Sequence, residues 1–297
     1  MNTEAGNIPV APAMLSVTRP FYWSVRRELW EYRSIYLAPL ALAGVVVAGF
    51  VFVLARLPQM MRNVTALHLP HQRDTVTQPF EVAAAIVMMA AFIVSVYYAL
   101  ETLYGERRDR SILFWKSLPV SDLTTVLAKA CVLLVVLPAV AFAVTLVMEG
   151  VLVGLGCIVL AASGSSVGQF WSLMTPYDSM MGLIYHLATM HILWYAPLYA
   201  WLMLISAWSR RAPLLWAALP PFAIVVFERI AFHTTHFQNF LMNRVAGGSD
   251  ISGDMPAPDS WMMPLHFILT PGLWYGLFFA AAFLWAAARL RRYRGPI

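Results

Sequence analysis

Long uncharged runs alternate with short polar blocks along the whole chain. Residues 35–55 carry no charged side chain, and at a rise of about 1.5 Å per residue such a run crosses a hydrocarbon core of about 30 Å. A second run, 82–100, is bracketed by Glu81 and Glu101, and a third starts at the helix-start signal Ser121-Asp122 and continues to about residue 148. The fourth and sixth, at about 187–208 and 265–288, have Trp and Tyr near their ends, where amphipathic rings favour the membrane interface. The fifth lies between Arg211 and Glu228 and contains Pro220-Pro221, which predicts a kink, with Glu228 and Arg229 paired or close to the surface. Residues 151–162 are apolar but too short to cross alone, so they either extend the third helix or dip back as a re-entrant piece. Segments 56–78, 163–178 and 233–261 read as outer loops. The pattern predicts an all-α bundle of six transmembrane helices.

Composition agrees: 60% of the 297 residues are hydrophobic and 12% are charged, far from the soluble globular average. The net charge of +5 does not point to nucleic acid, because the basic residues are strung along loops beside apolar runs. Their distribution gives orientation instead. With six crossings, fifteen of the twenty Lys and Arg residues fall on one face, which the positive-inside rule makes cytoplasmic; a seventh crossing through 151–162 would move the last six of them outside. Both termini are therefore expected in the cytoplasm of a multi-pass protein of the cell (inner) membrane. One domain is expected: a cytoplasmic segment 1–34 with an interfacial helix, a bundle 35–288 and a basic tail 289–297. Cys131 and Cys157 sit inside apolar segments and read as small buried hydrophobes. No cleavable secretory signal is expected, since the first apolar run begins only at residue 35.

Residues 104–122 interrupt this apolar pattern with a basic, aromatic, proline-stopped block. Ile112, Phe114, Trp115 and Leu118 recur at helical offsets, Pro119 stops the helix and Ser121 caps the next one. The result is a short knob between two spans that exposes large apolar groups among charges, a composition favoured in interface anchors. A basic amphipathic segment lying on anionic lipid fits the same pattern.

The order of elements resembles the permease subunits of the second exporter class of ATP-binding-cassette (ABC) transporters. There an acidic residue ending the second span precedes a basic stretch, a small apolar helix, a Pro-containing turn and a Lys entering the third span. Here these are Glu101, Glu106-Arg107-Arg108, residues 111–118, Pro119-Val120-Ser121 and Lys129. The resemblance implies that the loop is a coupling helix docking into a groove of a separate ATPase subunit, through Glu106, Arg107, Arg108, Arg110, Ser111, Ile112, Phe114, Trp115, Lys116, Leu118 and Pro119. It also implies that residues 21–32 are an amphipathic connecting helix on the inner surface, with Trp23 and Trp30 facing lipid or protein and Arg26, Arg27, Glu28 and Glu31 more polar. Two ATPase copies and a second permease chain, the same or a paralogue, are the implied partners besides membrane lipids. ATP and magnesium would belong to the ATPase, and no cofactor to this chain. Where relatives often carry Gly after the charged stretch, this chain has Asp109-Arg110-Ser111.

No phosphate-cradling GxxxxGK[ST] loop or HExxH occurs, so the chain is not expected to be an enzyme. The stretch 163–169, SGSSVGQ, reads as a polar loop. His68, His71, His186, His191, His233, His236 and His266, with Met60, Met61, Met180, Met181, Met262 and Met263, fall toward the outer side; soft Met with His suits copper, but His at interfaces and Met as filler are the ordinary reading. Glu149, Glu228 and Arg229, with Glu81, are the candidate charges of a transport path, or are solvated at the outer interface. The rival functions are an ion-coupled secondary transporter, which calls for midplane charges and inverted repeats, and a non-transporting scaffold or sensor that recruits a cytoplasmic partner.

Overall fold

A computed structural model describes residues 18–67, 72–174, 184, 187–245 and 267–297, and among these every regular element is a helix. In chain order they are α1 (Thr18–Glu31), α2 (Ser34–Leu67), α3 (Gln72–Arg108), α4 (Ile112–Lys116), α5 (Asp122–Ala162), α6 (Val167–Met174), a π-helical segment (Leu187–Trp194), α7 (Ala196–Trp208), α8 (Pro213–Ala231), α9 (His236–Val245) and α10 (Pro271–Tyr293). Five of them, α2, α3, α5, α8 and α10, are long and apolar enough to cross a membrane. This is a multi-pass membrane architecture.

The expected fourth crossing is divided. Its first part is π-helical, the chain bends at Tyr195, and the α-helical remainder, α7, has only 13 residues. Pro197 explains the break, because it has no N–H to offer the Leu193 carbonyl one turn back. Pro138 has the same effect on Leu134 within α5, where Val132–Val136 relaxes into a π turn without ending the helix.

Helices reach into all three expected loops. Segment 56–78 is taken up by the ends of α2 and α3, leaving only 68–71 outside the described residues. Residues 151–162 continue α5 without a break, so they are a helix extension and not a re-entrant piece. The helix ends where Gly164 adopts φ +67° and the Ser165 N–H bonds the Leu160 carbonyl at 3.0 Å, a left-handed C-terminal cap suited to glycine. The chain then folds back as α6, so SGSSVGQ is a cap followed by the first turn of a helix. At 41 residues α5 is about 60 Å long, and even a tilt of about 40° leaves part of it beyond a hydrocarbon core of about 30 Å. In segment 233–261 the structure supplies α9, and the rest lies outside the described residues, as do His68, His71, His186, His266, Met180, Met181, Met262 and Met263.

Two apolar cores stack along the bundle. One, with Tyr98, Leu103, Val126, Leu133, Tyr199 and Met203, lies toward the end that carries α1 and α4. The other, with Leu57, Phe80, Leu152, Leu160 and Phe170, fills the distal end. Outside them Phe52, Ile93, Phe222, Phe227, Phe278 and Trp285 are exposed, as expected of side chains solvated by lipid tails. α8 is the extreme case, with 6% of its apolar window buried, and it continues as helix through Pro220-Pro221.

Candidate functional site

At the end carrying α1 and α4, four elements bring charged groups out of solvent. Glu28 of α1 is 0% exposed, Lys129 of α5 is 1%, and Glu106 of α3 and Arg291 of α10 are each 3%. Lys129 Nζ lies 2.8 Å from Glu28 Oε1 and 3.1 Å from Glu106 Oε1, and it also donates to the Thr102 carbonyl at 3.2 Å and Thr102 Oγ1 at 2.9 Å. Arg291 bridges Glu106 (3.1 Å) and Asp122; Arg27 bridges Glu28 (2.5 Å) and Glu106 (3.2 Å). Tyr98 donates its hydroxyl to Glu28 at 3.0 Å. Three cations thus offset three carboxylates, with hydrogen bonds on the remaining lone pairs, and this is the condition under which burying charge is tolerated. Burial alone would lower the Arg27 pKa, but Glu28 and Glu106 outweigh it and hold it above its ordinary value.

This cluster corrects the expected polarity of α1. Glu28 faces inward on the same stripe as Val25, Leu29 and Tyr32, which pack against the core, whereas Trp23 (56%) and Trp30 (64%) point outward. Arg26 sits between those two indoles, its guanidinium carbon 5.1 and 4.7 Å from their ring centroids. Glu31 is only partly exposed beside Arg27 (3.9 Å); its partial desolvation and the neighbouring Glu28 raise its pKa.

The knob is smaller than expected. α4 has five residues, stopped ahead of Pro119, and Ser121 caps α5 by accepting the Thr124 N–H at 3.0 Å. Ile112 is buried and anchors it; Leu113 and Phe114 are about three-fifths exposed, at 59% and 60%, and Leu118 and Pro119 are also exposed. Trp115 is half-buried beneath the Arg27 guanidinium, 3.9 Å from its ring centroid. Arg110, where a Gly was expected by resemblance, has φ +60°: the backbone adopts a conformation that glycine favours. Ser111 Oγ donates to the Glu106 carbonyl at 3.4 Å.

The basic residues of the loop divide into two kinds. Arg108 is about half exposed and pairs with Glu101 (2.8 Å) and Asp109 (3.1 Å). Arg107, expected on the docking face, is 4% exposed and holds the chain together, donating to the carbonyls of Ala207 (2.7 Å), Ser209 (3.0 Å) and Gly295 (3.3 Å). Lys116 donates to the Arg292 and Arg294 carbonyls at 3.2 and 3.3 Å. The segment expected as a free tail is therefore fixed: α10 runs through Tyr293, Arg291 is in the cluster, and the residues after it lie against the knob.

Among the described residues no ion pair joins Glu149, Glu228 and Arg229, while Glu81 and Glu149 lie within electrostatic reach of each other. Glu228 accepts the N–H groups of His236 (2.8 Å) and Phe237 (2.9 Å) and the Thr234 hydroxyl (2.9 Å), so it caps α9. Arg229 is exposed and Glu149 half-buried. Arg244 was not singled out in the sequence: it is 6% exposed, stacks on Trp194 at 4.2 Å, and fills the space that a Cβ on Gly276 would need. Burial pushes its pKa down to about 10. Among the described residues no group of three or more His, Cys, Asp or Glu could hold a metal ion. No family model, curated protein or solved structure matches the chain.

Proposed function

We propose that this chain is the membrane-spanning permease subunit of an ATP-driven ABC exporter. It acts as one of two permease chains on two copies of a separate ATPase, in the cell (inner) membrane, with both termini in the cytoplasm. In this reading all six apolar segments cross, the π-helical segment and α7 making one interrupted crossing. One observation carries the proposal: an exposed apolar knob, Leu113 and Phe114, is mounted on a buried charge cluster that joins α1, α3, α5 and α10. A partner seated on Phe114 pushes on a stiff junction of four helices, and breaking a buried pair in that junction is expensive, so the push reaches the spans. ATP binding closes the ATPase pair, α4 and α1 transmit the movement, and a central cavity between two permease chains opens outward. Its apolar, aromatic lining favours an amphipathic, lipid-like or peptide cargo. The nearly unburied α8 leaves room for contact with the second chain.

The docking face is narrower than the sequence implied. Arg107 belongs to the scaffold, as do the buried Glu106 and Ile112, so the face offered to the ATPase centres on the exposed Leu113 and Phe114, with Arg108 and Arg110. The test is affinity purification of the full chain from its native membrane. An ATPase should co-purify and be lost on Phe114→Asp, with the thermal midpoint of the permease unchanged. Recovery of the intact chain without any ATPase refutes the reading.

A further inference from the structure

Between α1 and the knob lies a groove of about 290 Å³. Its walls are Trp23, Trp30, Trp115 and Leu118, and its charged groups are Arg26 and Arg27, with no carboxylate among the lining residues. The two arginines differ. Arg27 is neutralised by Glu28 and Glu106, whereas Arg26 makes no ion pair among the described residues and is held between the rings of Trp23 and Trp30. Beneath the groove, among the described residues, the buried Trp115 indole N–H and Arg27 Nε have no hydrogen-bond partner. A site with an uncompensated cation and aromatic walls is complementary to an anion that carries an apolar body.

Its position selects the kind of anion. α1 leads into α2 through Tyr32 and Arg33 alone, so the groove lies where the uncharged run of α2 begins. Tyr22, Trp23 and Trp30 are exposed beside it, the aromatic and basic mixture that settles at the boundary between headgroups and acyl chains. Leu113 and Phe114 do not line it, which separates it from the proposed docking face. We infer that this groove binds the headgroup of an anionic phospholipid, with the phosphate on Arg26 and the first acyl methylenes against Trp23, Trp30 and Leu118. Such a lipid bridges α1 and the knob. The inference rests on α1 lying at a membrane surface and needs no ATPase partner.

Native mass spectrometry of the purified full chain tests it without any other protein. Phosphatidylglycerol should be retained over phosphatidylcholine of the same acyl chains by roughly tenfold, the effect of one charge-assisted hydrogen bond. Arg26→Gln should remove the preference and Arg26→Lys should keep part of it, both with an unchanged thermal midpoint in phosphatidylcholine. Equal retention of the two lipids, or a preference that survives Arg26→Gln, overturns the proposal. Displacement of phosphatidylglycerol by an equal concentration of glycerol phosphate also overturns it, since the ligand would then be a soluble phosphate. A photo-cross-linker at Leu118 in intact membranes should label lipid, and a protein adduct there would assign the groove to a protein partner instead.

Discussion

At the scale of single residues, Lys129 concentrates the argument. It is 1% exposed and touches both buried glutamates, so Lys129→Met leaves two carboxylates with one cation fewer. That loss should cost about 3–5 kcal/mol and appear as a large fall in thermal midpoint in detergent; adding Glu28→Gln to the same chain should recover part of it. Arg110 makes the opposite prediction. Its φ of +60° costs a side-chain-bearing residue about 1–2 kcal/mol, so Arg110→Gly should be neutral or raise the midpoint, and Arg110→Val should lower it. The sequence contained the signal for the cluster in part. Glu28 falls at helical spacing on the stripe Val25, Leu29, Tyr32, and Lys129 on the stripe Thr125, Val126, Leu133, so both charges share a face with residues that pack inward. What periodicity could not supply was their meeting: Glu28 and Lys129 are 101 positions apart, and Arg291 joins them only because α10 passes the same point.

At the scale of elements, the spans were legible as apolar runs and their ends were not. Charges at Arg56, Glu81 and Glu149 mark where an uncharged run stops, yet α2, α3 and α5 continue past them because polar residues do not break a helix whose other side is packed. Leu57, Val76, Phe80, Leu152 and Leu160 provide that packing. α6 seals it. Phe170 is 0% exposed, and its ring lies 3.3 Å from where a Cβ on Gly156 would stand. Phe170→Ala should therefore cost about 3–5 kcal/mol, read as increased proteolysis or hydrogen exchange at the distal ends of α2, α3 and α5, with the charged end unaffected. The division of the expected fourth crossing was foreshadowed only by Pro197, one residue within an otherwise uncharged run.

At the scale of the whole molecule, the two ends are built differently. One end is polar at its centre and apolar on its protruding knob, while the distal end is held by apolar packing between helices that outreach a bilayer. The all-helical membrane architecture followed from hydropathy alone, since a backbone in lipid must satisfy its own hydrogen bonds. The proposed docking face did not: a linear reading puts Arg107 and Arg108 side by side as equals, and only the folded chain turns one inward to three carbonyls and leaves the other at the surface.

The central claim is that the knob faces the compartment that holds ATP. Its most direct test is a single cysteine, Ser117→Cys, in a chain whose Cys131 and Cys157 are replaced, probed in intact cells with a membrane-impermeant thiol reagent. Ser172→Cys on α6 serves as the opposite-side control. The account predicts labelling at 172 in intact cells and at 117 only after permeabilisation; labelling at 117 from outside contradicts it.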